Sequence, residues 1–145
     1  MNKLYRILDA NINRASEGLR VLEDLSRFYF NDMLLSKELK KLRHLLRKNS
    51  TDMLPELIEN RDSVNDVGLN ISMNLKIDEK SSVFELIISN FKRVQEALRT
   101  IEETLKLVDR YELSKKYEGY RFDIYNIEKK FVNVVIRRKK ETENE

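Results

Sequence analysis

With 145 residues and no cysteine, the chain is long enough to bury one core, and disulfides, thiol chemistry and Cys-based zinc sites are excluded. Three glycines and one proline among many Leu, Glu, Lys and Arg residues leave few places to turn a strand and point to an all-α fold. The net charge of +3 hides 28 basic and 25 acidic residues, so charge alone calls for no polyanionic partner, and no run of about 18 apolar residues exists to span a membrane.

The start of the chain is amphipathic and interrupted by charge, unlike a signal peptide, and a cytoplasmic protein is expected. Over residues 2–30, Leu4, Leu8, Asn11, Ala15, Gly18, Leu22, Leu25 and Tyr29 alternate spacings of four and three, the seam of a helix packed on other helices. A second helix is predicted over 33–49, with Leu35, Leu39, Leu42 and Leu46 inward. Residues 50–80 hold the only proline, Pro55, and read as a long functional loop in which Pro55 to Ile58 make one helical turn. Asn70 to Ile77 alternate weakly, without the strength of a strand. Helices follow over 81–109 and 112–138, completing a single domain over 1–138, and residues 139–145 read as a frayed, charged tail.

The first seam recurs 79 residues later as Val83, Ile87, Asn90, Val94, Ala97, Ile101, Thr104 and Val108. The second helix recurs at an offset of 78, with Leu113, Tyr117, Tyr120 and Ile124 in place of the four leucines and Arg121 in place of Arg43. One residue of difference in the turn near Asn31 and Asp32 accounts for the change of offset. The fold expected is a bundle of two related antiparallel helical hairpins.

Polar residues cross each seam as a slanting stripe: Asn11, Arg14, Glu17, Arg20 and Glu23 on the first helix, and Asn90, Arg93, Glu96, Arg99 and Glu102 on the third. Neighbours three apart can pair within one helix, and a solvated ladder Arg14–Glu17–Arg20 would contribute a few tenths of a kcal/mol per pair. An asparagine on a packed seam costs stability unless its amide is bonded, so Asn11 and Asn90 either fix the register by pairing or serve a ligand. Arginine clusters suit phosphate, because the planar fork binds two oxygens at once. Nearby Glu and Asp suit Mg²⁺, and Arg61, Asp62, Asp66 and Gly68 in the long loop add both kinds of group. No GxxxxGK[ST] or GxGxxG cradle exists, and the single histidine, His44, lacks the paired motifs of a di-iron bundle.

The run RILDANINRASEGLRVLED (residues 6–24) resembles the opening of the small monofunctional hydroxymethylpyrimidine phosphate kinases of thiamine biosynthesis, which occur alone or fused ahead of thiamine-phosphate synthase. The resemblance continues through LKKLRH (39–44), Arg61-Asp62, Asp66-Val67-Gly68, NFKRVQEALRTIEE (90–103) and YRFDIY (120–125). Departures are the segment Glu79-Lys80-Ser81, where an arginine is expected, and Ser89, where alanine is usual.

The resemblance implies transfer of the γ-phosphoryl group of ATP, with Mg²⁺, onto 4-amino-5-hydroxymethyl-2-methylpyrimidine phosphate, in the stand-alone form. Under that reading Arg14, Arg20, Arg93 and Arg99 are the catalytic phosphate ligands. Asn11, Asn13, Arg43, Arg61, Asn90 and Arg121 are substrate or phosphate ligands, and Glu17, Glu96, Asp62 and Asp66 are Mg²⁺ ligands. Expected partners are the two small molecules and, functionally, thiamine-phosphate synthase; a homodimer is compatible with the long seams, and nucleic acid and membrane are not expected. The competing reading is a non-catalytic helical module that senses a phosphorylated metabolite or regulates thiamine-phosphate synthase.

Overall fold

The computed structural model describes residues 2–74, 80 and 82–143. Helix α1 spans Asn2–Asp24 and runs into a π-helical turn, Leu25–Tyr29; α2 spans Met33–Lys48, α3 Leu54–Asn60, α4 Val67–Asn74, α5 Val83–Leu107 and α6 Tyr111–Glu143. No strand occurs among the described residues, so the fold is all-α, as the composition requires. The helix starts are set by side chains: Asp32 accepts from the Leu35 N–H at 3.0 Å, and Ser82 from the Glu85 N–H at 3.1 Å. The turns that end the long helices place Asn31 (φ 51°) and Asp109 (φ 58°) in the left-handed region, which short polar side chains tolerate.

Cross-helix bonds fix the directions. Asn13–Arg47 and Glu23–Arg43 run α1 against α2, Glu38–Lys130 and Leu46–Tyr117 run α2 against α6, and Gln95–Glu128 and Glu102–Arg121 run α5 against α6. Both hairpins are therefore antiparallel, while α2 and α5, consecutive long helices, point the same way. A chain leaving the end of α2 must return the length of that helix, about 24 Å for its 16 residues, before α5 can begin. This requirement explains the long connection. It contains the helical turn expected at Pro55 as α3, and a further helix, α4, over part of the weakly alternating segment; residues 75–77 of that segment lie outside the described residues.

The core is apolar and lies inside the square of long helices. Leu8, Leu19 and Leu22 of α1, Leu39 and Leu46 of α2, and Ile87, Phe91 and Leu98 of α5 are fully enclosed. Phe131 of α6 stacks edge-on against both Phe30 and Phe91, with ring centroids 5.6 Å apart in each case. Buried Tyr117 donates its hydroxyl to the Leu46 carbonyl at 3.0 Å, and burial pushes its ionisation well above the ordinary tyrosine range.

Two sequence expectations change. Tyr29, placed on the seam opposite Val108, is 61% exposed, and Phe30 is buried instead. The cause is the π-helical turn, closed by the Phe30 N–H on the Leu25 carbonyl at 3.0 Å, which holds one more residue than an α-helical turn. Buried Ser26 still matches buried Leu105 at an offset of 79, while Phe30 matches Val108 at 78, so the extra residue of the first copy sits within 27–29 and not at Asn31–Asp32. Residues 139–143, read as part of a frayed tail, instead continue α6 to Glu143. Lys, Arg and Glu are good helix formers, and Arg138 anchors the segment by donating to the Phe30 carbonyl at 2.8 Å.

Candidate functional site

The two polar stripes lie on the antiparallel helices α1 and α5, and most of their bonds repeat. The Asn11 amide donates to the Ile7 carbonyl at 2.9 Å and the Asn90 amide to the Leu86 carbonyl at 2.8 Å, so each asparagine is satisfied by its own helix and not by its counterpart. Arg20 pairs with Asp24 at 3.5 Å and Arg99 with Glu103 at 3.6 Å. Glu23 takes Arg43 at 3.0 Å, and Glu102 takes Arg121 at 3.0 Å. Both of these glutamates are buried, and the bond from Glu102 holds Arg121 above its already high pKa. These inter-helix pairs tie each hairpin together.

The ladder Arg14–Glu17–Arg20 expected from spacing is not formed, nor is its counterpart. Among the described residues Arg14, Arg93, Glu17 and Glu96 make no ion pair, although all four are exposed. Every other charge of the two stripes is partnered.

The unpaired arginines meet. A cleft of about 380 Å³ between α1 and α5 is lined by Asn11 and Arg14 from one side and Asn90, Arg93, Glu96 and Ala97 from the other, with Lys80, Ser89 and Thr100 at its edges. The helices run antiparallel here. At Gly18 the backbones approach so closely that an added Cβ would lie 2.7 Å from Val94 Cγ2 and 3.6 Å from the Asn90 carbonyl oxygen. Its counterpart, Ala97, carries that methyl and lines the cleft. The cleft holds three cationic side chains and one carboxylate, an arrangement suited to an anion with several negative oxygens.

Of the predicted site residues, the structure brings together Asn11, Arg14, Asn90, Arg93 and Glu96. Glu17 and Arg20 lie further along α1, and Arg99 falls between Ala97 and Thr100 on α5, none of the three lining the cleft. Arg43 and Arg121 are held by Glu23 and Glu102. Arg61 grips Asp9 with two bonds of 2.7 Å, which raise the arginine's pKa, and Arg6 donates to the Asp62 carbonyl at 2.9 Å. Asn13 links Arg47, at 3.3 Å, to Asp9, at 3.5 Å, completing a network that straps the crossover onto α1. Asp62 accepts from the backbone and side chain of Asn65, which lowers its pKa, and Asp66 accepts from the Gly68 N–H at 2.9 Å. The four predicted metal ligands are therefore spread out, and among the described residues no cluster of three acidic or histidine side chains could hold a metal ion. His44 is exposed on α2.

Sequence reading gave no site role to Lys80 and Ser89, which it noted only as departures from the family pattern, nor to Thr100 or Asp9. Ser89, Arg93, Glu96 and Thr100 follow a four-three-four spacing, which could have marked one helix face. Asp9 and Asn13, four apart, are the equivalent signal for the strap. Nothing in the sequence pairs Asp9 with Arg61.

Comparison with known proteins finds sequence relatives over nearly the whole chain. The ThiD2 family matches residues 6–130. The chain belongs to the ThiD2 family. Among curated relatives it is 40% identical over 125 residues to a thiamine-phosphate synthase of Nostoc punctiforme, covering 86% of this chain and 34% of that protein. It is 43% identical over 126 residues to the thiamine-phosphate synthase of Thermosynechococcus vestitus, covering 87% of this chain and 34% of that one. With the thiamine-phosphate synthase of Rhodopirellula baltica the identity is 38% over 127 residues, covering 84% and 32%. The chain thus spans about a third of the length of the curated relatives it matches. No solved structure matches it. No described helix is long and apolar enough to cross a membrane.

Proposed function

We propose that this ThiD2-family domain is a phosphotransferase of thiamine biosynthesis that moves the γ-phosphoryl group of ATP onto hydroxymethylpyrimidine phosphate. The observation that carries the reading is the pair Arg14 and Arg93, unpaired with any acid among the described residues and lining one cleft while the other stripe arginines are neutralised by neighbours. The names of the relatives support the thiamine pathway.

The acceptor is a phosphate monoester whose second pKa is about 6, so at neutral pH its oxygen is already a nucleophile and no general base is required. In the transfer a bond forms between that oxygen and the γ-phosphorus. The bond from the γ-phosphorus to the β–γ bridging oxygen breaks, and its electron pair leaves with ADP. No proton moves. What opposes the reaction is repulsion between two anions, so catalysis reduces to alignment and charge neutralisation. Arg14 and Arg93, arriving from opposite helices, hold the reacting phosphates in line, and Lys80 adds a third cation. The donor set of one unpaired carboxylate, Glu96, without a three-acid cage fits Mg²⁺ that arrives on nucleotide phosphates and keeps several waters. Held there, Mg²⁺ would supply further neutralisation of the transferring oxygens.

The test is incubation of the purified protein with Mg-ATP and hydroxymethylpyrimidine phosphate, following ADP and the pyrimidine diphosphate by chromatography. Stoichiometric formation of both products is expected. Tight binding of the monophosphate without turnover would overturn the reading in favour of a metabolite-sensing module.

A further inference from the structure

The cleft is better equipped for phosphate than for a ring. Among its described lining residues only Ala97 is apolar, whereas both substrates of the transfer carry a flat heterocycle, which binding sites meet with apolar surface. Apolar surface is left over on α4. Its four apolar side chains alternate along eight residues, so Val67 and Ile71 project on one side and Leu69 and Met73 on the other. None is buried: Val67 is 82% exposed, Met73 77%, Ile71 54% and Leu69 47%. A helix that is apolar all round belongs under cover, and one of eight residues is too short to persist in water without packing.

The path of the crossover brings that surface to the cleft. The crossover leaves α1 where Arg61 bonds Asp9 and Arg6 bonds the Asp62 carbonyl, and it enters α5 where Ser82 caps the helix. The antiparallel helices α1 and α5 set Gly18 against Asn90 and Val94, so Asp9 lies about 13 Å to one side of that level and Val83 about 13 Å to the other. The cleft residues, Asn11 and Arg14 on α1 and Ser89 to Thr100 on α5, fall between these two anchors. The crossover therefore travels the length of the cleft, and its Lys80 lines it. Asn74, the last residue of α4, is six residues from Lys80 and can lie no more than about 21 Å from it. Resting on the phosphotransferase reading above, we infer that α4 is a lid that closes over the cleft and supplies the apolar wall for the heterocycle of a bound substrate, while Arg14 and Arg93 hold its phosphates. Arg61 and Asp62 are the fixed end from which the lid swings. Closure also keeps water, the competing acceptor of the γ-phosphoryl group, from the reacting phosphates.

The experiment is hydrogen exchange of the wild type, read by mass spectrometry, free and with each of three probes: a non-hydrolysable ATP analogue with Mg²⁺, hydroxymethylpyrimidine phosphate, and inorganic tripolyphosphate. The amides of residues 67–74 are expected to exchange fast in the free protein and about tenfold more slowly with a heterocyclic probe. With tripolyphosphate, which occupies the arginines but has no ring to cover, they should keep their free rate. The heterocyclic probe that gives the protection identifies the ring that α4 covers. The Leu69→Ser/Ile71→Ser variant alters both sides of a helix in which no side chain is buried. It should melt as the wild type does and bind that probe about tenfold more weakly, with tripolyphosphate within about twofold. Unchanged exchange of residues 67–74 under every probe, while cleft residues of α1 and α5 become protected, would overturn the lid and leave the phosphotransferase reading intact. Equal protection by tripolyphosphate, or a variant that binds the heterocyclic probe at the wild-type level, would overturn it in the same way. A wild type in which no probe protects any residue would overturn both.

Discussion

The first hairpin and the second share their inter-helix ion pairs, their i,i+4 pairs and their asparagine-to-carbonyl bonds, and three of their differences bear on the backbone. The first turns through a π-helical segment where the second stays α-helical; it carries Gly18 where the second has Ala97; and its Asp9–Arg61 strap has no copy on α5, where Lys92 bonds Gln95 at 3.2 Å and Glu128 at 3.4 Å. What is shared holds each hairpin together. Among what differs, the glycine leaves room for the side chain of Val94, the alanine lines the cleft, and the strap fixes the crossover to α1. Identity between repeats therefore marks hairpin stability for the paired charges and, under the proposed function, phosphate contact for the unpaired Arg14 and Arg93.

The sharpest way to break that distinction is to truncate one arginine of each kind. Arg14→Ala or Arg93→Ala should lower kcat on the order of 10³-fold with the melting temperature near that of wild type, measured by the coupled ADP assay beside thermal melts. If both variants unfold and neither loses specific activity, the unpaired arginines belong with the structural ones.

Next in size is the buried pair. Glu102→Leu strands Arg121, whose side chain is 13% exposed, and should cost about 3 kcal/mol in urea unfolding. Glu23→Leu should cost less, because Arg43 is 24% exposed and can turn to water. Equal losses would show that the pairs are not differentiated by burial.

The glycine–alanine difference can be reversed. Gly18→Ala should cost about 1–3 kcal/mol by forcing α1 from Val94, and adding Val94→Ala should recover most of it; stability of the single variant at the wild-type level would mean that the close approach is not a constraint.

The π-helical turn offers a smaller change. Deleting Phe28, itself 66% exposed, should let the turn close as in the second hairpin and keep the melting temperature within a few degrees of wild type, and an unfolded product would place the extra residue elsewhere.

Smallest is the pH response. Asp62, bonded by Asn65, Glu103, bonded by Lys106, and Glu118, bonded by Lys115, have folded pKa values below their ordinary ones. Their contribution is present above the unfolded carboxylate range of about 4 and is lost as pH falls through the lower folded values. Melts from pH 7 to pH 3 should decline only at the acid end, and modestly, because all three groups lie at the surface; a rise in stability there would contradict the assignment.

The sequence by itself determined the four long helices, their seams and their duplication, because a 3.6-residue period and a recurring Asn-Arg-Glu stripe are properties of one strand of text read along its length. It also contained the five residues that share the cleft, since an asparagine on an apolar seam and its neighbouring charges conflict with simple packing. It could not sort those charges into free and paired ones. That sorting depends on which partner lies across a helix interface: Glu23 with Arg43, Glu102 with Arg121 and Asp9 with Arg61 are 19 to 52 residues apart and are chosen by helix direction and crossover path. Nor could it place the inserted residue, because periodicity continues smoothly through Tyr29 while the backbone widens to a π turn and buries Phe30 instead. Tertiary structure alone decided which side chains share the cleft and that Gly18 packs against Val94 with no room for a methyl group, because both depend on how α1 and α5 lie against each other.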